Sequence, residues 1–334
     1  MGAEQYPTVR RRVLGANLRR LREDCALLLE DVADALSCHP AKVSRIESGR
    51  SGIRALDLKA LLDLYEVADP ATREGWLALA REGRRQRWWR DLADRLPQDF
   101  LDLIGLEAEV ASCLGFQPSI IPGLFQTEAY ATAVIRGGTV GPLDEQCRTR
   151  VRVRLDRQRV LTREEPAPMR VLMVIGEAAL RQEIGGRQVL REQLLRLIEI
   201  AQLSNVTVQV LPFSAGAYPG GPTPFSIYGF PPPSGMEVVS LENFTSHAYL
   251  ERAQDTAHYG KVFADLRGIA LSPIESEAFI ASSAKELAGR SSCAPTTSQP
   301  PRGPTDSRTE EPSSPVPEQP NNRVVEQPSS RVTE

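Results

Sequence analysis

The chain has 334 residues, 41% hydrophobic and 25% charged, which is enough length for two domains that each bury a core and an ordinary composition for folded protein. A net charge of −3 excludes a chain that is basic throughout, yet its parts differ: residues 1–95 hold 18 Lys and Arg against 15 Asp and Glu (+3), the remainder 22 against 28 (−6). Five cysteines, odd in number and without a C-x-x-C pair, argue against a disulfide framework and a zinc site, and the lack of a long apolar run or an apolar N-terminal core predicts a cytoplasmic protein without a membrane span.

The first predicted helix runs from Leu14 to about Asp24, with Leu14, Leu18 and Leu21 as its inner stripe; Arg10-Arg11-Arg12 precedes it and reads either as an arm along phosphates, the reading favoured here, or as a disordered, solvated end. Leu28 to Gly49 then reads as two short helices joined by a tight turn. Val32, Ala33 and Leu36 share one face of a helix over Glu30–Leu36. Ser37-Cys38-His39 is the turn, and Pro40 suits a first helical position because its missing N–H costs nothing there. In the helix that follows, Val43 and Ile46 face inward, leaving Ala41, Lys42, Ser44 and Arg45 on the opposite side. Arginine matches the O6/N7 edge of guanine, while lysine and serine serve bases or phosphates. A solvated face on an ordinary helical domain is the plainer alternative. Ile53–Tyr65 and Pro70–Arg81 supply a fourth and a fifth helix.

With these residues in place, the first eighty or so resemble the λ-repressor/Cro-like helix-turn-helix regulators of the XRE family. The residues that carry the likeness are Leu18, Leu21 and Arg22, then Val32 and Ala33, then Val43-Ser44-Arg45-Ile46-Glu47, Gly49 and Arg50. The resemblance implies a five-helix all-α domain that binds a double-stranded DNA operator as a homodimer. It implies that Pro40, Ala41, Ser44 and Arg45 lie at or near the groove, with Arg45 as the base reader, and that Arg22 pairs with Glu47; Lys42, Ser44 and Arg50 are assigned mainly to phosphate. Leu28-Leu29 depart from the family's Thr-Gln, Ser37 from its turn glycine, and His39 from its Ser or Thr cap.

Arg81 to Arg90 interleaves five arginines with Trp88 and Trp89, and reads as a joint that buries the tryptophans while the arginines reach solvent. Beyond Phe100 the texture changes. Leu106–Ser112 continues into an extended, proline-bounded stretch from Phe116 that turns at Pro122-Gly123 and enters a helix ending near Arg136. A basic helix follows from Asp144 to Arg163, its arginines assigned to a solvated or interdomain face. Met169–Ile175 reads as a central strand, Arg187–Leu203 as a helix and Val206–Val210 as a strand, together a βαβ unit. Phe225–Phe230 and Glu237–Phe244 add strands, and Ala253–Leu271 and Pro273–Leu287 add closing helices.

This half also has a family likeness. Phe116-Gln117-Pro118, Pro122-Gly123-Leu124, Gln126-Thr127-Glu128, Tyr130, Val160–Arg163, Glu177–Leu180, Gly185-Gly186 and Asn205–Phe213 resemble the domain of unknown function DUF5753. Such domains sit behind XRE-type heads in antitoxin-like regulators of actinomycetes. The resemblance implies a small DUF397-type protein as a possible partner. Of the 40 basic residues 36 are Arg, in keeping with a GC-rich source.

An enzyme would need a catalytic constellation. His247 and His258 are the second half's only histidines, with Glu251 and Asp255 as the nearest carboxylates in sequence. The Gly- and Pro-rich stretch from Gly216 to Pro224 lacks both P-loop and dinucleotide spacing and reads as a loop able to cover a pocket. No catalytic residue, metal site or cofactor is expected. The domains are thus a flexible N-terminus (1–9), a helix-turn-helix domain (10–82), a connector (83–99), a mixed α/β regulatory domain (100–288) and a disordered Ser/Pro-rich tail (289–334). The expected function is a sequence-specific DNA-binding transcriptional regulator whose second domain binds a protein partner or signal; the alternative is a hydrolase-type domain brought to DNA by the head.

Overall fold

Helix α1 (Val9–Asp24) starts five residues before the stripe of leucines does, because Thr8 caps it: the Thr8 hydroxyl accepts from the Arg11 N–H at 3.4 Å. The computed structural model describes residues 8–81, 96–138, 145–232, 234–242 and 247–289. The expectations for Trp88, Trp89 and the tail from residue 290 lie outside the described residues.

Four more helices complete the first part: α2 (Leu29–Ala35), α3 (Pro40–Glu47), α4 (Ala55–Leu64) and α5 (Pro70–Ala80). Val13, Leu18, Val32, Val43, Ile46, Leu58 and Leu62 form its buried centre. Pro40 and Pro70 both stand at the first helical position, and Asp69 caps α5 by accepting from Thr72 N–H at 2.7 Å. Gly15 lets α1 and α3 approach: a Cβ there would lie 2.5 Å from the carbonyl oxygens of Ile46 and Glu47.

The early start of α1 corrects the reading of Arg10-Arg11-Arg12 as a phosphate-gripping arm. All three sit in the helix. Arg10 donates to the carbonyls of Ala78, Leu79 and Arg81, at 2.7, 2.6 and 2.8 Å, and pairs with Glu109 at 3.2 Å. It thus satisfies the orphan carbonyls at the end of α5, where a cation is favoured. Arg12 pairs with Glu251 at 2.9 Å and lies over the Tyr249 ring at 5.1 Å. The leucine stripe marks where the inner face of α1 begins, whereas the helix itself begins at the Thr8 cap, which brings the three arginines into it.

The second part is built on a six-stranded mixed sheet. In chain order it comprises α6 (Gln98–Glu109), β1 (Ser112–Gln117), α7 (Glu128–Gly137), α8 (Glu145–Arg157), β2 (Arg170–Gly176), α9 (Glu177–Arg181), α10 (Arg187–Ala201), β3 (Val206–Leu211), β4 (Phe225–Gly229), β5 (Glu237–Glu242), β6 (His247–Leu250), α11 (Ala253–Ile269) and α12 (Pro273–Gly289). The strand order is β3-β2-β1-β4-β5-β6, with β1, β2 and β3 parallel and the other pairings antiparallel. The expected βαβ unit is β2, α10 and β3. Leu190, Leu194, Leu197 and Ile200 pack α10 inward. The β3 edge is covered, since Val210 N–H donates to Ser276 Oγ at 2.8 Å and Val210 O accepts from Leu271 N–H at 2.9 Å.

Two elements differ from the sequence reading. The stretch leading to Phe116 is β1, the strand joining the parallel and antiparallel halves, and Leu106–Glu109 ends helix α6. The basic helix does not place its arginines on one solvated face. Arg157 is buried in a bidentate pair with Glu107, both N–H···O distances 2.7 Å, and the Tyr228 hydroxyl donates to the same carboxylate at 3.3 Å. Burial opposes the Arg157 charge, but the Glu107 carboxylate outweighs it and holds the guanidinium above its ordinary pKa. Arg163 donates to Ala108 O and Val110 O, both at 2.9 Å, closing the end of α6.

Candidate nucleic-acid interface

Helix α3 owes its outward face to what its inward face touches. Val43 and Ile46 are buried, so Ala41, Ser44 and Arg45 stand exposed on the other side, with Arg50 exposed beyond the helix end. Among the described residues Arg45 and Arg50 have no acidic partner. Pro40 opens the helix and is half-buried. Lys42 lies apart from this set. Its ammonium pairs with Asp57 at 3.0 Å, and Arg54 pairs with the same carboxylate at 3.1 Å. Burial works against the Asp57 charge, but the bonds from Lys42 and Arg54 prevail and lower its pKa. A phosphate contact by Lys42 therefore requires exchange of a partner it already has.

The helix is fixed in place from behind. Arg22 on α1 makes two bonds to Glu47, at 2.7 and 3.1 Å, and a third to Leu27 O at 2.9 Å. The bond to Glu47 raises the Arg22 pKa over the opposing effect of burial. This pair joins α1, the approach to α2 and the end of α3, and a bidentate guanidinium–carboxylate pair sets angle as well as distance.

The turn and the caps show how the chain does without the residues its resemblance supplies elsewhere. Ser37 takes a left-handed conformation, φ 49°. A non-glycine residue there costs about 1–2 kcal/mol, offset partly by glycine's greater unfolded entropy. Ser37→Gly is therefore expected to stabilise the head by about 0.5–1 kcal/mol, read as an upward shift of its thermal midpoint. His39 caps α3 with a ring nitrogen: Nδ1 accepts from Ala41 N–H at 3.2 Å. With Nδ1 as acceptor, Nε2 is the ring's donor, on an exposed side chain at the start of α3. At α2 there is no side-chain acceptor on Leu28; instead Asp31 Oδ2 accepts from Leu28 N–H at 2.7 Å. The cap position of His39 is legible in sequence; the Lys42–Asp57 pair is not, because it depends on how α4 packs beside α3.

In the second part, His258 is exposed, and the nearby Glu251 is engaged by Arg12 from α1. His247 opens β6; its side chain lies outside the described residues. Of the Gly216–Pro224 stretch, Pro224 lines a cavity beside α6 and β4. Among the described residues no group of three His, Cys, Asp or Glu side chains is placed to hold a metal ion, and no helix is long and apolar enough to cross a membrane.

Comparison with known proteins agrees with this division. Residues 13–76 match the family model of a helix-turn-helix domain, and residues 100–282 match that of the domain of unknown function DUF5753. No curated protein and no solved structure matches the chain. The helix-turn-helix match and the exposed face of α3 support a DNA-binding regulator. The second match spans more than half of the sequence, and the chain belongs to the DUF5753 family, carried behind a helix-turn-helix head.

Proposed function

We propose that the protein is a cytoplasmic, sequence-specific transcriptional regulator that binds its operator as a homodimer, with the DUF5753 domain receiving a protein partner or small signal that alters DNA affinity. The observation that carries the reading is Arg45: exposed, without an acidic partner among the described residues, and held on a helix that the Arg22–Glu47 pair anchors. Two such helices in successive major grooves stand about 34–36 Å apart. Arg45 reads a base edge, Ala41 and Ser44 line the groove beside it, and Arg50 holds phosphate. With Leu28-Leu29 in place of the family's Thr-Gln, Leu29 stands where the phosphate-anchoring Gln would, which leaves more of the affinity to the base-reading face.

The second domain is proposed to bind rather than catalyse: His258 is exposed, and of the two carboxylates nearest it in sequence Glu251 is taken by Arg12. By resemblance, its partner is a small protein of the DUF397 type and its setting an actinomycete antitoxin-like system.

The test is a mobility-shift series on the DNA upstream of the protein's own gene, across salt concentrations, with and without the product of a small neighbouring gene. Arg45→Ala should weaken operator binding by about 1–3 kcal/mol and relax base preference at one position. Arg50→Ala should weaken binding to all sequences alike and reduce the salt slope by about one unit. Undiminished operator affinity in Arg45→Ala would remove the base-reading assignment.

A further inference from the structure

Helix α1 opens against the usual electrostatic preference. The positive end of a helix dipole lies at the N-terminus, where carboxylates are favoured, yet the first turn of α1 carries Arg10, Arg11 and Arg12 and no acidic residue. The compensation comes from outside the helix-turn-helix head. Arg10 meets Glu109, the last residue of α6, at 3.2 Å, and Arg12 meets Glu251, just past β6, at 2.9 Å. The two arginines stand two positions apart, about 200° round the helix, so they leave α1 on different sides. The α/β part thus holds the first turn of α1 from two directions, with the Tyr249 ring under the Arg12 guanidinium.

Water screens these pairs only in part. The four side chains are between 16% and 28% exposed, so each pair is stronger than a surface pair and costlier to leave half-made. Burial raises the Glu251 pKa against the opposing Arg12 charge, which makes this carboxylate dependent on its partner. Arg12 Nη2 is buried without an acceptor among the described residues, so Glu251 is the acceptor that fixes the guanidinium there.

The same turn touches the recognition helix. Gly49, the second residue past α3, has φ 70° and no room for a side chain: a Cβ would lie 2.8 Å from Arg12 N and 2.9 Å from Arg12 Cα. Arg12 therefore joins the end of α3, through its backbone, to the end of β6, through its side chain. Chain connectivity alone would not fix that relation, since residues 81–97, between α5 and α6, would span about 55 Å if fully extended.

We infer that Arg12 with Glu251 and Arg10 with Glu109 form a clamp that seats the recognition helix on the α/β part, and that the clamp makes the protein selective for the spacing of its DNA half-sites. In a dimer joined through its α/β parts, clamped heads reach two major grooves at one separation, whereas heads held by residues 81–97 alone reach many. The inference rests on the regulator reading and deepens it: Arg12 is a positioning residue, acting on α3 and not on DNA.

Hydrogen exchange on the full chain without DNA tests the clamp. Arg12→Glu sets two carboxylates against each other and should lose protection in the first turn of α1 and in β6. Arg12→Glu with Glu251→Arg re-forms the pair with its signs exchanged and should regain most of it. Should Arg12→Glu fail to fold, Glu251→Gln weakens the same contact while keeping its shape and takes its place. Mobility shifts test the spacing on the DNA upstream of the protein's own gene, unaltered or with roughly half a helical turn, about five base pairs, inserted at the centre of the footprinted segment. The unsubstituted protein should bind the lengthened duplex at least about a hundredfold more weakly, Arg12→Glu less than about tenfold more weakly, and the exchanged pair should restore the discrimination. A loss of stability alone lowers binding to both duplexes alike. Unchanged protection in Arg12→Glu overturns the clamp, and undiminished discrimination in that variant overturns its role in spacing. Failure of the unsubstituted protein to bind either duplex would count against the regulator reading and the spacing role together, while hydrogen exchange would still decide the clamp.

Discussion

Glu107→Ala is expected to destabilise the α/β part by about 3–5 kcal/mol. Glu107 is 1% exposed and Arg157 8% exposed, and their two 2.7 Å bonds are the main compensation for burying both charges. Truncating the glutamate leaves a buried guanidinium without its carboxylate and takes an acceptor from the Tyr228 hydroxyl as well. Coulomb attraction alone does not predict this size, since a buried pair replaced whole by apolar groups of similar volume is often neutral. The double variant Glu107→Leu with Arg157→Leu should accordingly recover much of the loss. Urea unfolding of the full chain followed by circular dichroism reads both. A loss below about 1 kcal/mol in Glu107→Ala would mean that Arg157 finds solvent when released.

That pair also marks where sequence reading ran out. Helices α3, α4, α5, α10, α11 and α12 were legible because their apolar residues recur at helical spacing, and β2 because it is an almost unbroken apolar run. Strand β1 was not, since Gly115 interrupts it and its neighbours β2 and β4 are distant in sequence. The basic residues were the hardest to place. Arg10, Arg12, Arg154 and Arg157 look alike in sequence, yet one caps a helix, one covers a tyrosine ring, one donates to the Gln126 side chain and one is buried in an ion pair. Charge has no periodicity to reveal its partner, and each partner here is far along the chain. In the helix-turn-helix head the same limit applies to Lys42, whose attachment to Asp57 depends on how α4 folds back beside α3.

A single methyl group at position 15 should do to the head what Glu107→Ala does to the second part. In an exposed helix, Gly→Ala stabilises by about 0.5–1 kcal/mol. At Gly15 the sign is expected to reverse. The new Cβ would sit 2.5 Å from the carbonyl oxygens of both Ile46 and Glu47, which are backbone atoms and not the end of a side chain able to swing aside. The clash can be relieved only by moving α1 and α3 apart, and overpacking of this kind costs about 1–3 kcal/mol or more. We therefore expect a net loss of about 2–3 kcal/mol confined to the head. The displacement acts on the end of α3 that carries Glu47, so it strains the Arg22–Glu47 bonds and turns Arg45 from its angle. DNA affinity should fall by more than the stability loss alone predicts at temperatures where the head remains folded. Gly52→Ala is the matched control, because its Cβ would meet only the Arg11 side chain, at 3.9 Å, and should change stability by less than about 0.5 kcal/mol. Hydrogen exchange resolved along the chain distinguishes the two variants: Gly15→Ala should lose protection in α1 and α3 while β1, β2 and β3 keep theirs. Full protection in α3 with normal operator binding would show that the helices part without cost, and would remove their close contact as the element that sets the reading angle.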